Sequence, residues 1–154
     1  MPGDITHYEL PYFLSEHTKQ ELLDIGMNLK DEDWTIHNST RTGKPSVLHY
    51  YDLKRTFYGR NCYLLMIRPN AVQDWHTDGG KRNTALIYPL TDNYAPCRFE
   101  VGETNAPMFL NTQARHAVFN NEYKRINLNI SFTENLQDCM NFFKEIDKYE
   151  FDPS

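Results

Sequence analysis

The sequence predicts a mainly β fold, an antiparallel sandwich or jelly roll flanked by helices, and three observations carry that expectation. Six short runs rich in aliphatic and aromatic residues crowd residues 60 to 132, with Gly, Pro, Asn and Asp marking the turns between them. Two amphipathic helical patterns bracket this stretch. The last run, RINLNISF, alternates apolar and polar residues, which is the period of a strand with two different faces. Many short strands at this spacing close into a two-sheet architecture, with the helices packed outside one sheet.

The 154 residues read as one domain in three parts: a helical N-terminal part over 1–35, a β core over about 47–132 and a C-terminal helix over about 134–149. Ser15 is placed to cap EHTKQELLDIGMNL, in which Leu22, Leu23, Ile25 and Leu29 share a face. KDED at 30–33 breaks that pattern as a solvated connection, and residues 31–60 read as a loop over a pocket mouth. The strand candidates follow: RNCYLLMIRP (60–69), NTALIYPL (83–90), CRFEV (97–101), PMFLN (107–111), HAVFN (116–120) and KRINLNISF (124–132). In the last of these Ile126, Leu128, Ile130 and Phe132 face one way, and Arg125, Asn127, Asn129 and Ser131 the other. A solvated strand face is usually Lys-, Glu- and Thr-rich; one Arg followed by two amides reads better as the lining of an internal cavity. Thr133 is placed to cap the final helix, where Leu136, Met140, Phe143 and Ile146 recur at helical spacing.

Composition narrows the function classes. Hydrophobic residues make up 40% and aromatic residues 14%, which excludes a disordered tail. Sixteen Lys and Arg against 21 Asp and Glu give a formal charge of -5, which disfavours a nucleic-acid backbone as main partner, although Lys81 and Arg82 form a local basic pair. Cys62, Cys97 and Cys139 are odd in number and widely spaced, so they read as free thiols of a reducing, cytoplasmic compartment. No leader-like segment and no membrane-length apolar run is expected.

The chemistry concentrates in DWHTDGG at 74–80. Residues i and i+2 of a strand point the same way, so His76 and Asp78 can offer a nitrogen and a carboxylate oxygen to one point, with Gly79 and Gly80 turning the backbone away. A lone H-x-D occurs by chance, and two ligands do not make a site. His116, forty residues on, supplies the third, completing the two-histidine, one-carboxylate set that holds Fe(II) with positions left open. Arg125 follows nine residues after His116 on the polar face of the last strand. His7, His17, His37 and His49 read as surface or structural residues.

In this order the motif resembles the iron- and 2-oxoglutarate-dependent oxygenases. RPNAVQDWHTDGGKRNTALIYPL and APMFLNTQARHAVFNNEYKRINLNISF look most like the aspartyl/asparaginyl β-hydroxylase-like group and its small prolyl-hydroxylase-like relatives, over about half of the chain. LPYFLSEHTKQELL also looks like the opening helix of many such domains. The resemblance implies a double-stranded β-helix, a cupin-like jelly roll. One departure is that the best-known aspartyl β-hydroxylases carry glycine where this chain keeps Asp78.

The resemblance further implies that His76, Asp78 and His116 hold Fe(II), with 2-oxoglutarate and O2 as co-substrates. Arg125 would grip the distal carboxylate of the keto acid through its planar fork. Asn127 shares its face, with Tyr63 and Thr84 as further co-substrate candidates; a one-residue shift of register would make Lys124 the anchor instead. Trp75, Arg82 and Tyr88 are candidates for the substrate side, each equally readable as a packing residue or surface cation. The implied activity is a dioxygenase that hydroxylates a C–H bond of a peptidyl or free amino acid, releasing succinate and CO2. Two other readings stand beside it: a non-catalytic jelly-roll binding module, and a cupin-like metalloenzyme that does not use the keto acid.

Overall fold

A computed structural model describes residues 5–38, 43–57, 59–78 and 82–144. In chain order the elements are β1 (His7–Glu9), α1 (Glu16–Asn28), a 3-10 turn (Asp31–Asp33), β2 (Thr35–Asn38), β3 (Pro45–Phe57), β4 (Arg60–Ile67), β5 (Val72–His76), β6 (Thr84–Pro89), β7 (Cys97–Phe99), β8 (Glu103–Thr104), β9 (Met108–Asn111), β10 (His116–Phe119), β11 (Arg125–Phe132) and α2 (Leu136–Lys144). They form two antiparallel sheets, ordered β1-β9-β6-β11-β4-β3-β2 and β5-β10-β7-β8. From β4 onward the chain passes repeatedly between the two sheets, which is the jelly-roll arrangement of a double-stranded β-helix. No helix among the described residues is long and apolar enough to cross a membrane.

The alternation in the last run does what its period requires. Ile126, Leu128, Ile130 and Phe132 enter an apolar layer with Leu22 and Phe143 of the two helices, while Arg125, Asn127 and Asn129 are buried on the opposite face. A second apolar layer, including Ile67, Ile87, Phe99 and Val118, joins the two sheets. Helix α1 starts at the expected cap: the Ser15 hydroxyl accepts the Thr18 amide at 3.1 Å. Gly26 costs helix stability but permits close approach, since a Cβ there would lie 3.2 Å from Ile126 Cδ1.

Two expectations need correction. Residues 31–60 are not a loop: β2 and the 13-residue β3 occupy most of the stretch. Strand β3 is partly covered on both faces, so its side chains show no clean alternation to betray it. The cap of α2 is Asn135, whose Oδ1 accepts the Asp138 amide at 2.9 Å, rather than Thr133. Asn83 Nδ2 and Thr84 Oγ1 donate to the carbonyls of Thr133 and Glu134, at 2.6 and 2.8 Å, and so tie that pair to β6 and delay the helix. Helix α2 is described to Lys144, and Ile146, like Gly79, Gly80 and Lys81, lies outside the described residues. The short strands β1 and β8, at three and two residues, carry too little pattern to be read in advance.

Phe109 ties β9 to β11 and α2, with rings edge-on to Phe132 at 5.7 Å and Phe143 at 5.5 Å. It is fully buried. Phe109→Ala is expected to cost about 3–5 kcal/mol, the range for emptying a buried aromatic site. Urea unfolding reads this directly; a midpoint within error of the parent would mean that α2 does not pack as described.

Candidate metal centre

The site is built where the small sheet meets the turn after β5. His76 and His116 are Cα partners across β5 and β10, so their side chains leave the same face of neighbouring strands. Asp78 stands beyond the end of β5, not on the strand as simple parity supposed. Its place is fixed by its backbone amide, which donates to the Thr112 carbonyl at 2.8 Å. The Asp78 Oδ1 lies 3.3 Å from His76 Nε2 and 3.4 Å from His116 Nε2. The three ligand atoms fall within 4.8 Å of one another, the one such cluster among the described residues.

Backbone carbonyls set the histidine tautomers. His76 Nδ1 bonds the Asp74 carbonyl at 2.6 Å, and His116 Nδ1 bonds the Ala114 carbonyl at 2.7 Å. A carbonyl only accepts, so each Nδ1 carries a proton and each ring turns its Nε2 toward Asp78. Burial disfavours charge on Asp78, but hydrogen bonding with His116 and His76 and the charge of Arg82 outweigh it. They hold the carboxyl well below the usual carboxylate range. Two imidazole nitrogens and a carboxylate oxygen thus converge on one point, an arrangement that a divalent cation satisfies by taking the place of the Nε2 protons. The other carboxylate oxygen, Oδ2, faces Arg82 Nη1 at 3.7 Å.

A cavity of about 550 Å³ runs from this point between the sheets. Arg125 lines it and is 3% exposed. Its Nε donates to the Ala95 carbonyl at 3.2 Å and its guanidinium lies 5.8 Å from the Tyr94 ring centre. Burial pulls its pKa down, while Cys97 and Tyr94 push it up; no carboxylate among the described residues acts on it. Asn127, also on the wall, is 1% exposed and neither polar atom of its amide has a partner. A buried guanidinium and an orphaned amide cost free energy unless a ligand's oxygens meet them. A dicarboxylate that reaches from Arg125 toward a cation held by the three ligand atoms fits that demand. Lys124 is not part of the wall.

The other candidates separate clearly. Arg82 lines the cavity. Tyr63 shares the inward face of β4 with Leu65 and Ile67 but does not reach the cavity wall. Thr84 belongs to the helix-side face of β6, engaged with Glu134. Tyr88 sits in the helix-side layer, where its hydroxyl accepts the Leu14 amide at 3.4 Å and its ring meets Phe13 at 5.0 Å. Trp75 packs on Phe119 at 6.3 Å, under Arg115 at 5.7 Å, away from the cavity.

Lining residues with no advance reading as such include Tyr50 and His37, from the stretch read as a loop, and Gln73. Gln73 reaches the site through a bulge. His116 pairs with His76 but Val118 pairs with Gln73, so three steps along β5 match two along β10. Gln73 and His76 therefore point to one side despite odd spacing, with Gln73 Nε2 3.2 Å from His76 Nε2. Nothing in the letters announces a bulge.

No family model matches the sequence, and no curated protein matches it. Solved structures do match the fold. A prolyl-4-hydroxylase from Pseudomonas putida is 13% identical with a TM-score of 0.59, over 82% of this chain and 91% of that one. A 2OG-Fe(II) oxygenase family oxidoreductase from Burkholderia pseudomallei is 9% identical with a TM-score of 0.60, over 86% and 87%. A viral collagen prolyl hydroxylase from Paramecium Bursaria Chlorella virus-1, solved with 2OG, is 10% identical with a TM-score of 0.54, over 83% and 96%. At these identities the likeness is one of fold.

Proposed function

We propose that this protein is an Fe(II)- and 2-oxoglutarate-dependent oxygenase that hydroxylates a C–H bond of a peptidyl or free amino acid. The observation that carries the reading is the convergence of His76, Asp78 and His116 in one cavity with a buried guanidinium that lacks a carboxylate partner among the described residues. A binding module that had lost the chemistry has no need of both features. A cupin-like metalloenzyme without the keto acid leaves Arg125 and Asn127 unexplained. The fold it shares with two prolyl hydroxylases supports the prolyl-hydroxylase-like side of the motif resemblance, and the retained Asp78 sets it apart from the best-known aspartyl β-hydroxylases. Three buried free thiols support a reducing, cytoplasmic setting.

His76 and His116 would give Nε2 to the metal, and Asp78 its Oδ1. Arg125 would take the distal carboxylate of the keto acid in two parallel bonds, with Asn127 satisfying a neighbouring oxygen. Bound there, iron would activate O2 for C–H hydroxylation, one oxygen atom entering the substrate and the other the succinate formed as the keto acid loses CO2. The chain's own work is to fix tautomers, orient the carboxylate and line the cavity between the sheets with Ile67, Ile87, Leu110 and Val118, which excludes water from the keto acid.

The test needs no primary substrate. With Fe(II), O2 and ascorbate, the protein is expected to turn 2-oxoglutarate into succinate slowly, seen by NMR of the product. Protein that binds Mn(II) and the keto acid yet forms no succinate above a protein-free control would favour a binding role.

A further inference from the structure

We infer that the cavity receives its primary substrate by a carboxylate, held by Arg82 and Tyr50 with Gln73 beside them; the inference rests on the oxygenase reading above. Arg82 has five N–H donors in a planar fork, and the structure uses few of them. Only Nη1 approaches Asp78, at 3.7 Å, which is beyond hydrogen-bond length. Its Nε is buried with no partner among the described residues. Such an atom carries the full desolvation penalty until an acceptor reaches it.

Tyr50 supplies a second donor at the same place. On β3 it is the partner of Leu65, which in turn is the partner of Asn127, so the three stand in one row across the cavity wall. Its ring leans on His37 at 5.4 Å, and its hydroxyl makes no hydrogen bond among the described residues. Burial raises the hydroxyl above its ordinary value, and the charges of Arg82 and then Asp78 act on it in opposite directions. Tyr50 therefore lies within electrostatic reach of Arg82 and the metal carboxylate, on the wall that Arg82 also lines. Gln73, re-aimed by the bulge in β5, adds an amide 3.2 Å from the ligand nitrogen of His76.

The charges decide what these donors await. At the rim of the cavity Lys44 and Asp74 offset one another. Inside, Asp78 offsets one of two guanidiniums, Arg82 and Arg125. A divalent metal and a doubly charged keto acid cancel, which leaves one positive charge unspent in a site of low dielectric. A neutral substrate leaves that charge and the Arg82 Nε uncompensated. A carboxylate answers both, taking two donors from the fork and a third from Tyr50. Its source is either the main-chain end of an amino acid or an acidic side chain.

The experiment loads the full chain with Mn(II) and 2-oxoglutarate and follows the acetyl methyl resonance of three probes. N-acetylglycine carries a main-chain carboxylate, N-acetylaspartic α-amide only a side-chain one, and N-acetylglycinamide none. At least one carboxylate probe is expected to show saturable paramagnetic broadening and the neutral amide none; which carboxylate binds identifies the source. Arg82→Gln is expected to weaken that binding by at least about tenfold more than it weakens 2-oxoglutarate, with Tyr50→Phe giving a smaller loss in the same direction. Equal broadening by the neutral amide, no saturable broadening by either carboxylate, or displacement of 2-oxoglutarate by the probe overturns the inference while the oxygenase reading stands. Failure of the parent protein to bind Mn(II), seen before any probe is added, sinks both.

Discussion

His76→Ala is expected to abolish stoichiometric metal binding, with Mn(II) or Fe(II) affinity down by more than about a hundredfold. That exceeds the 10- to 100-fold cost of losing only an outer partner of a ligand. The physical ground is the way the site is held. Both imidazoles have Nδ1 spent on backbone carbonyls, so neither ring can turn to compensate for the other. Asp78 is pinned by its own amide to Thr112, which prevents the carboxylate from following the metal to a new position. Metal analysis after equilibrium dialysis reads the loss. The same variant separates a metal centre from a structural hydrogen-bond cluster by the sign of its stability effect. If protons join Asp78 to the imidazoles as a structural network, deleting His76 lowers the urea midpoint of the metal-free protein. If three acceptors await a cation, removing one relieves the metal-free protein and the midpoint holds or rises. Metal content equal to that of the parent would reject the three-ligand site.

How much of this was legible in the letters follows from which physical signals are periodic. The last strand was readable because one face packs under two helices and the other lines a cavity, so Ile126, Leu128, Ile130 and Phe132 separate cleanly from Arg125, Asn127 and Asn129. The same parity led to Arg125 rather than Lys124. Helix α1 was readable from its cap and its apolar stripe. Strand β3 was hidden because SVLHYYDLKRTF meets neighbours on both faces and interleaves polar and apolar residues without a period. Missing it hid Tyr50 and His37, which it and β2 bring to the cavity. Gln73 was hidden for a different reason: a bulge breaks the alternation that strand parity assumes. Asp78 was found by an argument only half applicable, since the i and i+2 rule needs a strand that ends at His76. Tyr88 and Thr84 stayed open between site and packing roles because an all-buried strand, TALIYP, gives no sequence cue to which face looks inward.

Arg125→Leu tests the other half of the site, and its two effects should run in opposite directions. Binding of 2-oxoglutarate is expected to weaken by about 2–4 kcal/mol, roughly 30- to 800-fold, the scale for losing one partner of a buried, hydrogen-bonded charge pair. The metal stays bound, because Arg125 lies on β11 and shares no hydrogen bond with the three ligands. The ligand-free protein, by contrast, should gain stability. A guanidinium at 3% exposure has, among the described residues, one backbone carbonyl and one aromatic ring for company, and burial already works against its charge. Replacing such a charge with an apolar side chain removes a desolvation cost of a kind that has been worth about 1–4 kcal/mol where buried ionic groups were exchanged for hydrophobic ones. Thermal unfolding with and without ligand reads both effects at once. The parent's Tm should rise with 2-oxoglutarate by mass action in the presence of Mn(II), whereas the variant should start higher and show little further rise. Arg125→Lys should fall between them, keeping a charge but losing the planar fork. A variant that loses stability without ligand, and still gains it with 2-oxoglutarate, would make Arg125 a packing residue and return the anchoring role to another cation.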